Sequence, residues 1–461
     1  MSATSGPDLD VAVVGAGMAG LTAAHELRRA GLSVRVFEEH QQVGGRMRSF
    51  RRDGWTVDQG AEQVPGRGYR ATRELLTRLG VPGTDVPPVG AGVAVWRGGR
   101  ARHGVGDPGA LLADGAGLGP RARVDLAGLL AQVALRRAEF DGDRPESTPV
   151  GAATVRELAA RCHRDVHDYL LQPLAGCCFG WDTARSAAAP MLSLLAEVGP
   201  PSGWRTYRTG MDLLARRLAG TVDVEPGRAV REVVDEGGRA RLRFDEGEVT
   251  ARAAVLAVPA PTALAVRPEV PPEEREFLAA CTFTPALKVS CLLDRPLAPA
   301  ARRPVYLLLT PAAEESVLSA VIVDHAKHPG RAPAGKGLLT LMAAPGTVPE
   351  LLDAPEEETA KLLTDAAERY VPGLAEATGQ RFVHAFRHAL PEATPAALHL
   401  RSRFGARRAR AVDYAGDWTT LRPASEGAVR SGALAASRVL SRLGPAPATR
   451  NPLREVHRET A

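Results

Sequence analysis

A chain of 461 residues is too long for a single compact core, and its 44% hydrophobic and 24% charged content is that of a globular protein, so two joined domains are expected. The formal net charge of +5 comes from arginines scattered along the chain, lysine occurring only at Lys288, Lys327, Lys336 and Lys361; with no bunching beside aromatics, this argues against a nucleic-acid surface. No run reaches the roughly 18 uninterrupted apolar residues of a membrane span, and Met1 to Asp10 lacks a basic start and an apolar signal core, so a cytoplasmic protein is expected.

In chain order, Asp10 to Val14 reads as a short strand, Ala19 to Ala30 as a helix with an apolar stripe and Ser33 to Phe37 as a second strand, a β-α-β unit at the start. Leu75 to Leu79 reads as a helix end closed by Gly80. The Pro/Gly-rich stretch Val81 to Gly92 then marks an exit from the first domain. Val124 to Phe140 and Thr154 to Cys178 carry helical periodicity and are assigned to a second, substrate-facing domain. The cysteines Cys162, Cys177, Cys178, Cys281 and Cys291 show neither C-x-x-C spacing nor a histidine partner set. Core thiols are expected, with no metal site.

Short strands follow at Val222 to Glu225, Ala229 to Val234, Ala240 to Phe244 and Ala253 to Ala257, ending at Val258-Pro259, and suit a return to the first sheet. Strands at Leu287 to Leu293, Val305 to Leu309, Val317 to Val323 and Leu338 to Ala343 would floor the second domain. A helix at Glu356 to Tyr370, a strand at Ala411 to Ala415 and a small-residue helix at Gly427 to Leu440 complete the ordered chain. Residues 445–461 read as a flexible tail.

Gly15-Ala16-Gly17-Met18-Ala19-Gly20 lies between the first strand and the first helix, the context in which G-x-G-x-x-G signals dinucleotide binding. Gly15 permits the tight turn, Gly17 lets the backbone approach a pyrophosphate, and Gly20 lets helix and strand pack closely. The helix N-terminus adds free N–H groups and the positive end of a dipole. Glu38, with Glu39 beside it, lies just past the second strand, where a carboxylate can accept the ribose hydroxyls of FAD or NAD. Gly44-Gly45-Arg46 points to FAD: the glycines let the chain pass the pyrophosphate, and Arg46 can offer it a two-pronged contact.

These residues resemble the opening of the flavin amine oxidase superfamily, which also holds protoporphyrinogen oxidases and phytoene-type desaturases: V-x-V-V-G-A-G-M-A-G-L at Val11 to Leu21, Glu38, and V-G-G-R at Val43 to Arg46. Tyr414-Ala415-Gly416-Asp417-Trp418-Thr419 and Glu426-Gly427-Ala428-Val429-Arg430-Ser431-Gly432 are similar to the family's closing flavin motif, so the resemblance spans essentially the whole chain. It implies an α/β fold, a Rossmann-like FAD-binding domain of the GR2 type with an interleaved α+β substrate-binding domain. The FAD domain would comprise 1–80, 208–266 and 405–444, and the substrate domain 81–207 and 267–404. It further implies that Asp417, next to Gly416, meets the ribityl or pyrophosphate region, that the helix starting near Gly427 and Ala428, after Glu426, aims its N-terminus at the flavin N1/O2 edge, that Val230 lies against the adenine near the strand end at Pro259, and that Gly60 and Ala61 pass beside the isoalloxazine. A covalent flavin link would need a cysteine near the closing motif, and none follows Cys291. Noncovalent FAD is expected.

The chemistry implied is transfer of a hydride from a substrate carbon to flavin N5 in a dry, apolar pocket. Lys327, in Asp324-His325-Ala326-Lys327-His328, is the first candidate for a catalytic side chain, because an ammonium can shift its pKa where a guanidinium cannot. Lys288, on a strand, and His325 are the alternatives. Amine oxidases of the superfamily often carry an aromatic cage residue two positions before the Glu-Gly-Ala step; here that position is Ala424. The reading favoured is therefore dehydrogenation or desaturation of an apolar or polycyclic small molecule. Amine or amino-acid oxidation to an imine with release of hydrogen peroxide stays open, as does a non-redox isomerase or structural flavoprotein. The partner expected is a small-molecule substrate; arginine-rich helices leave room for peripheral membrane contact. Substrate identity and oligomeric state stay undetermined at this stage.

Overall fold

The computed structural model describes residues 7–106 and 115–444; the expected tail at 445–461 lies outside them. Its first sheet is laid down by the opening unit: β1 (Leu9–Val14), α1 (Met18–Arg29) and β2 (Val34–Glu38). The two strands run parallel, with Val11 opposite Val34 and Val14 opposite Phe37, because the connecting helix crosses back over the sheet. β1 is also parallel to Glu248–Leu256, and β2 to Asp223–Pro226. Val412–Tyr414 joins the end of Glu248–Leu256 in parallel, while Glu232–Glu236 and Arg239–Arg243 extend the sheet as an antiparallel ribbon. The strands anticipated to return to the first sheet do return to it. That anticipated at Ala229 starts three residues later, because the Arg228 amide donates to the Glu38 carbonyl at 2.8 Å and holds the chain against β2 instead.

The second sheet has seven strands in the order Thr378–Pro391, Phe283–Leu293, Gly337–Ala343, Leu318–Val323, Val305–Leu309, Gly92–Arg97 and Arg100–His103. All neighbours are antiparallel except Val305–Leu309 with Gly92–Arg97. Alternation along its strands separates two faces. Val289, Cys291, Leu308, Val321, Val323, Leu339 and Leu341 pack under the helix Glu356–Ala367, against Leu363, Ala367 and Tyr370. Tyr306, Leu309, Ala320 and Ile322 look the other way and join the core that includes the first sheet. Lys288, Ser290, Thr340 and Met342 have the same strand parity as this second set, so the period of two aims one lysine at the junction of the sheets.

Several elements depart from expectation. The helix anticipated over Thr154 to Cys178 is broken into Val155–Ala159, Arg164–Val166 and Gln172–Phe179, the last two joined by a π-turn over His167–Leu171. A Thr154/Glu157 capping box and His163, whose ring accepts from the Asp165 amide, supply stops and starts inside the run. The 14-residue strand Thr378–Pro391 was not anticipated; it is an edge strand rich in arginine and histidine, and its polar outer face hides the pattern. The hairpin Gly92–His103 and the helix Ala188–Val198 were likewise unassigned.

Four helices recur below: α1, α2 (Arg70–Arg78), α3 (Pro120–Leu135) and α4 (Ser425–Leu443). α1 and α4 touch backbone to backbone, since a Cβ on Gly432 would lie 2.3 Å from the Ala19 carbonyl oxygen. Their N-terminal ends open on the same side of the first sheet.

Candidate cofactor site and a buried ion cluster

The G-x-G-x-x-G segment divides its labour among its glycines. Gly15 has φ +99°, and a Cβ there would lie 2.8 Å from the Ala257 carbonyl; a Cβ on Gly20 would lie 2.0 Å from the Gly15 carbonyl. Both positions are closed by the joint between β1, α1 and Glu248–Leu256. Gly17 is the opposite case, with nothing within 4 Å of where its Cβ would stand. It caps α1 with no side chain, no acid occupies the first helical turn, and the first helical hydrogen bond comes from Leu21 to the Gly17 carbonyl. The amides of Met18, Ala19 and Gly20 are therefore left to a ligand. An open space in front of free amides at the positive end of a helix fits a pyrophosphate.

Glu38, buried at the end of β2, accepts from the Ala16 amide at 2.7 Å and from the His40 amide at 3.0 Å. This fixes its carboxylate beside the glycine turn. Glu39 is exposed, with only His40 nearby at 3.5 Å. The Gly44 amide donates to Ala16 at 2.8 Å, and Gly45 comes up against Gly17, so the second glycine pair is the neighbouring wall of the same opening. Val230 and Ala428 are buried, and Pro259 caps the helix Ala260–Val266 where Glu248–Leu256 ends. The Trp418 indole donates to the Val258 carbonyl at 3.1 Å, which ties the closing motif to that strand end.

Two candidate cofactor residues have other engagements. The two prongs of Arg46, anticipated on a phosphate, both reach Asp417 at 2.8 Å, and one also reaches the Ala389 carbonyl at 2.8 Å. This pairing locks the opening motif to the closing one. Glu426 is wholly buried: its oxygens accept from the Ala71 and Thr72 amides at 3.0 and 2.9 Å and from the Thr72 hydroxyl at 2.7 Å, capping α2, and from Arg430 of its own helix at 2.8 Å. With the Glu426 carboxylate taken up by α2 and Arg430, and with Ala424 as a cap without a side-chain bond, α4 keeps its N-terminus free. Gly427 is required because a Cβ there would lie 2.3 Å from the Arg422 carbonyl.

At the junction of the two sheets lie six ionisable side chains, three acidic and three basic: Asp58, Glu62, Asp324, Lys288, Lys327 and Arg331. Lys327 is wholly buried in a one-turn helix, Asp324–Lys327. Its ammonium stands 3.2 Å from Asp58, 2.5 Å from Glu62 and 2.8 Å from Asp324. Arg331 binds Asp58 at 3.0 Å. Lys288 pairs with the other oxygen of Glu62 and donates to the Gly60 carbonyl at 2.9 Å and the Asp58 carbonyl at 3.3 Å. The Ala61 amide, in the same segment, donates to the Arg46 carbonyl at 2.9 Å. The loop expected beside the isoalloxazine is thus held from both sides.

Burial works to lower the Lys327 ammonium, but Asp324, Glu62 and Asp58 together outweigh it and hold it above the ordinary lysine value. For Asp58, burial is overcome by Arg331 and Lys327, with help from the Met211 amide and Ser49, and the carboxyl sits below its ordinary value. Glu62 is pushed up, because burial and the charges of Asp324 and Asp58 outweigh Lys288 and Lys327. Thr340 donates to Asp324 at 2.8 Å; Ser290 lies 3.3 Å from Thr340 and 3.2 Å from the His384 ring. Burial, reinforced by Lys288 and Arg48, lowers His384 to about 3, so this ring is neutral.

Lys327, the first candidate for a catalytic side chain, is thus bound by three carboxylates. Lys288 is the lysine that touches the loop Asp58–Glu62. The Nδ1 of His325 is taken up by the Leu338 backbone at 3.0 and 3.1 Å, a structural contact. Asp58, Glu62, Asp324 and Arg331 escaped the sequence reading. Asp324 opened the segment around Lys327 and Glu62 stood beside the Gly60-Ala61 pair, whereas one buried arginine in so arginine-rich a chain gives no signal.

A family model described as flavin containing amine oxidoreductase matches residues 18–440. The putative flavin-containing monoamine oxidase AofH of Mycobacterium tuberculosis (strain CDC 1551 / Oshkosh) is 46% identical over 90 residues, 20% of each chain; the alignment thus spans about a fifth of that relative's length. Among solved structures, a putative protoporphyrinogen oxidase from Exiguobacterium sp. 255-15 is 18% identical with a TM-score of 0.73 over 95% of this chain and 100% of that one. Cyclohexylamine oxidase from Brevibacterium oxydans IH-35A is 18% identical with a TM-score of 0.74 over the same shares. At such identity these two likenesses are of fold.

Proposed function

We propose that this chain, which belongs to the flavin-containing amine oxidoreductase family, is an FAD-dependent oxidoreductase that binds its cofactor without a covalent link and dehydrogenates a carbon–carbon bond of an apolar or polycyclic small molecule. The observation that carries this reading is the neutrality of the junction between the sheets. Its three cations and three anions close on one another, which leaves no unpaired carboxylate to bind a substrate ammonium. The surrounding face offers Tyr306, Leu309, Ala320 and Ile322, and the position of an aromatic cage is taken by the methyl group of Ala424.

FAD, when bound, supplies the hydride acceptor. The residues of this chain have other tasks. The amides of α1 and the wall at Gly44 and Gly45 hold the dinucleotide, with Glu38 placed to accept ribose hydroxyls. The N-terminus of α4 would offer its free amides and positive dipole end to negative charge on the bound flavin. Lys288 fixes the loop Asp58–Glu62 through the Gly60 carbonyl, and the apolar sheet face keeps water out. Lys327 positions Glu62, and through it Lys288.

A second reading, oxidation of an amine to an imine with release of hydrogen peroxide, is favoured by the 46% local identity to the monoamine oxidase relative. The two separate on one experiment with purified protein and a panel of amines, amino acids, polycyclic hydrocarbons and polyisoprenoids. Anaerobic bleaching of the flavin by a hydrocarbon, with no peroxide from any amine in air, is the expected result. A peroxide burst with an amine replaces the first reading by the second, and a flavin that no compound bleaches points to a non-redox role.

A further inference from the structure

α3 is apolar nearly all round: between Val124 and Leu135 its only polar side chains are Asp125 and Gln132. A helix of that composition is ordinarily buried on all sides. This one is not. Successive residues turn by about 100°, which puts Ala122, Leu126, Leu129 and Val133 on the core side and Val124, Ala127, Gly128, Leu130, Ala131, Ala134 and Leu135 on the other. The second set is exposed throughout. Of the five large apolar side chains exposed among the described residues, three stand on this helix: Val124 at 70%, Leu130 at 48% and Leu135 at 87%.

Arginines border this strip. Arg121 precedes it, and Arg136 and Arg137 follow it, all exposed. Asp125 is turned inward, accepting from the His163 amide at 2.7 Å, and this contact brings the segment carrying exposed Arg161 and Arg164 alongside the helix. The acid opposing these arginines on the helix's own segment is Glu139, paired with Arg136 at 2.6 Å. The strip holds no tryptophan, tyrosine or phenylalanine, the side chains that anchor protein partners.

We propose that α3 lies in the surface of an anionic lipid bilayer, its apolar face among the acyl chains and its arginines on the phosphates. An aliphatic face bordered by arginines whose stems reach upward to the headgroups is how a helix rests in such an interface. The helix runs the length of the strip without a glycine or proline break other than Gly128, so the whole face enters together. The proposal is independent of which bond the enzyme oxidises, since no residue of α3 belongs to the cofactor site or the ion cluster.

The test is sedimentation of the FAD-loaded protein with vesicles of phosphatidylcholine alone and of phosphatidylcholine with an equal part of phosphatidylglycerol. The expected result is binding to the anionic vesicles, weakened by salt, with at least about tenfold loss in the Leu130→Glu, Leu135→Glu double variant and a comparable loss in Arg121→Glu, Arg137→Glu. Flavin absorbance and melting temperature report that the variants are folded; two charges added to an exposed face leave both unchanged. Absence of binding to either vesicle, equal binding by wild type and both variants, or a wild-type dimer that the leucine variants split into monomers, which would make the occupant a second copy of the chain, each overturns the proposal.

Discussion

The glycine cradle at α1 and the ion cluster between the sheets lie on the two sides of the loop Asp58–Glu62, and they are built on opposite plans. The cradle is backbone: it works by what is missing, with no side chain at Gly17 and no acid in the first turn of α1. The cluster is side chains: six charged groups whose positions matter only in relation to one another. A cradle of this kind tolerates any neighbour that leaves its space empty. A buried set of balanced charges tolerates the loss of none, because each ion removed strands another in a medium of low polarity.

Breaking the cluster is expected to have the largest effect. Lys327→Met should cost about 3–5 kcal/mol of stability, read as a fall in the denaturant midpoint. The pair Lys327→Met with Glu62→Gln should recover part of that loss, since it removes an anion along with the cation. If the single variant is as stable as wild type, the cluster is not the balanced set described here.

The cradle should respond in the opposite way. Gly17 has φ −77°, a conformation open to any residue, so Gly17→Val places methyl groups in the open space without backbone strain. FAD affinity should fall at least about tenfold, or 1.4 kcal/mol, in a flavin titration of the stripped protein, while the apoprotein melts as before. A variant that binds FAD normally would place the pyrophosphate elsewhere.

The smallest effect is a pH dependence that belongs to the cluster side alone. His384 is lowered to about 3 by burial and by Lys288 and Arg48, so the folded state resists a proton that the unfolded chain accepts near 6.5. Its contribution is therefore complete above the ordinary histidine value and is lost as the pH falls below it, by at most about 1.4 kcal/mol per pH unit. His384→Gln should flatten the fall in stability between neutrality and pH ~5.5; an unchanged slope would mean that other groups carry it.

The two plans also explain what could be read in advance. Gly15, Gly17, Gly20 and Glu38 fall within one β-α-β unit, and their order along the chain is their order in space. The fold class and the cofactor followed from that stretch together with the closing motif. Arg46 and Asp417 were both identified, but each was assigned to the cofactor, and their mutual pairing could not be seen because they lie 371 positions apart. Glu426 belongs to a flavin motif by sequence and caps a distant helix by geometry.

The sequence by itself thus determined the dinucleotide cradle, the order of the strands around it and the absence of a cysteine near the closing motif, because these depend on contiguous residues and on backbone freedom written into glycine. Only the tertiary structure decided which lysine meets the loop Asp58–Glu62, that Lys327 is sealed among carboxylates and that one face of α3 is left exposed. Those outcomes rest on which distant surfaces come together, with Asp58 and Arg331 meeting across 273 positions, and a local pattern of polar and apolar residues carries no record of its partner.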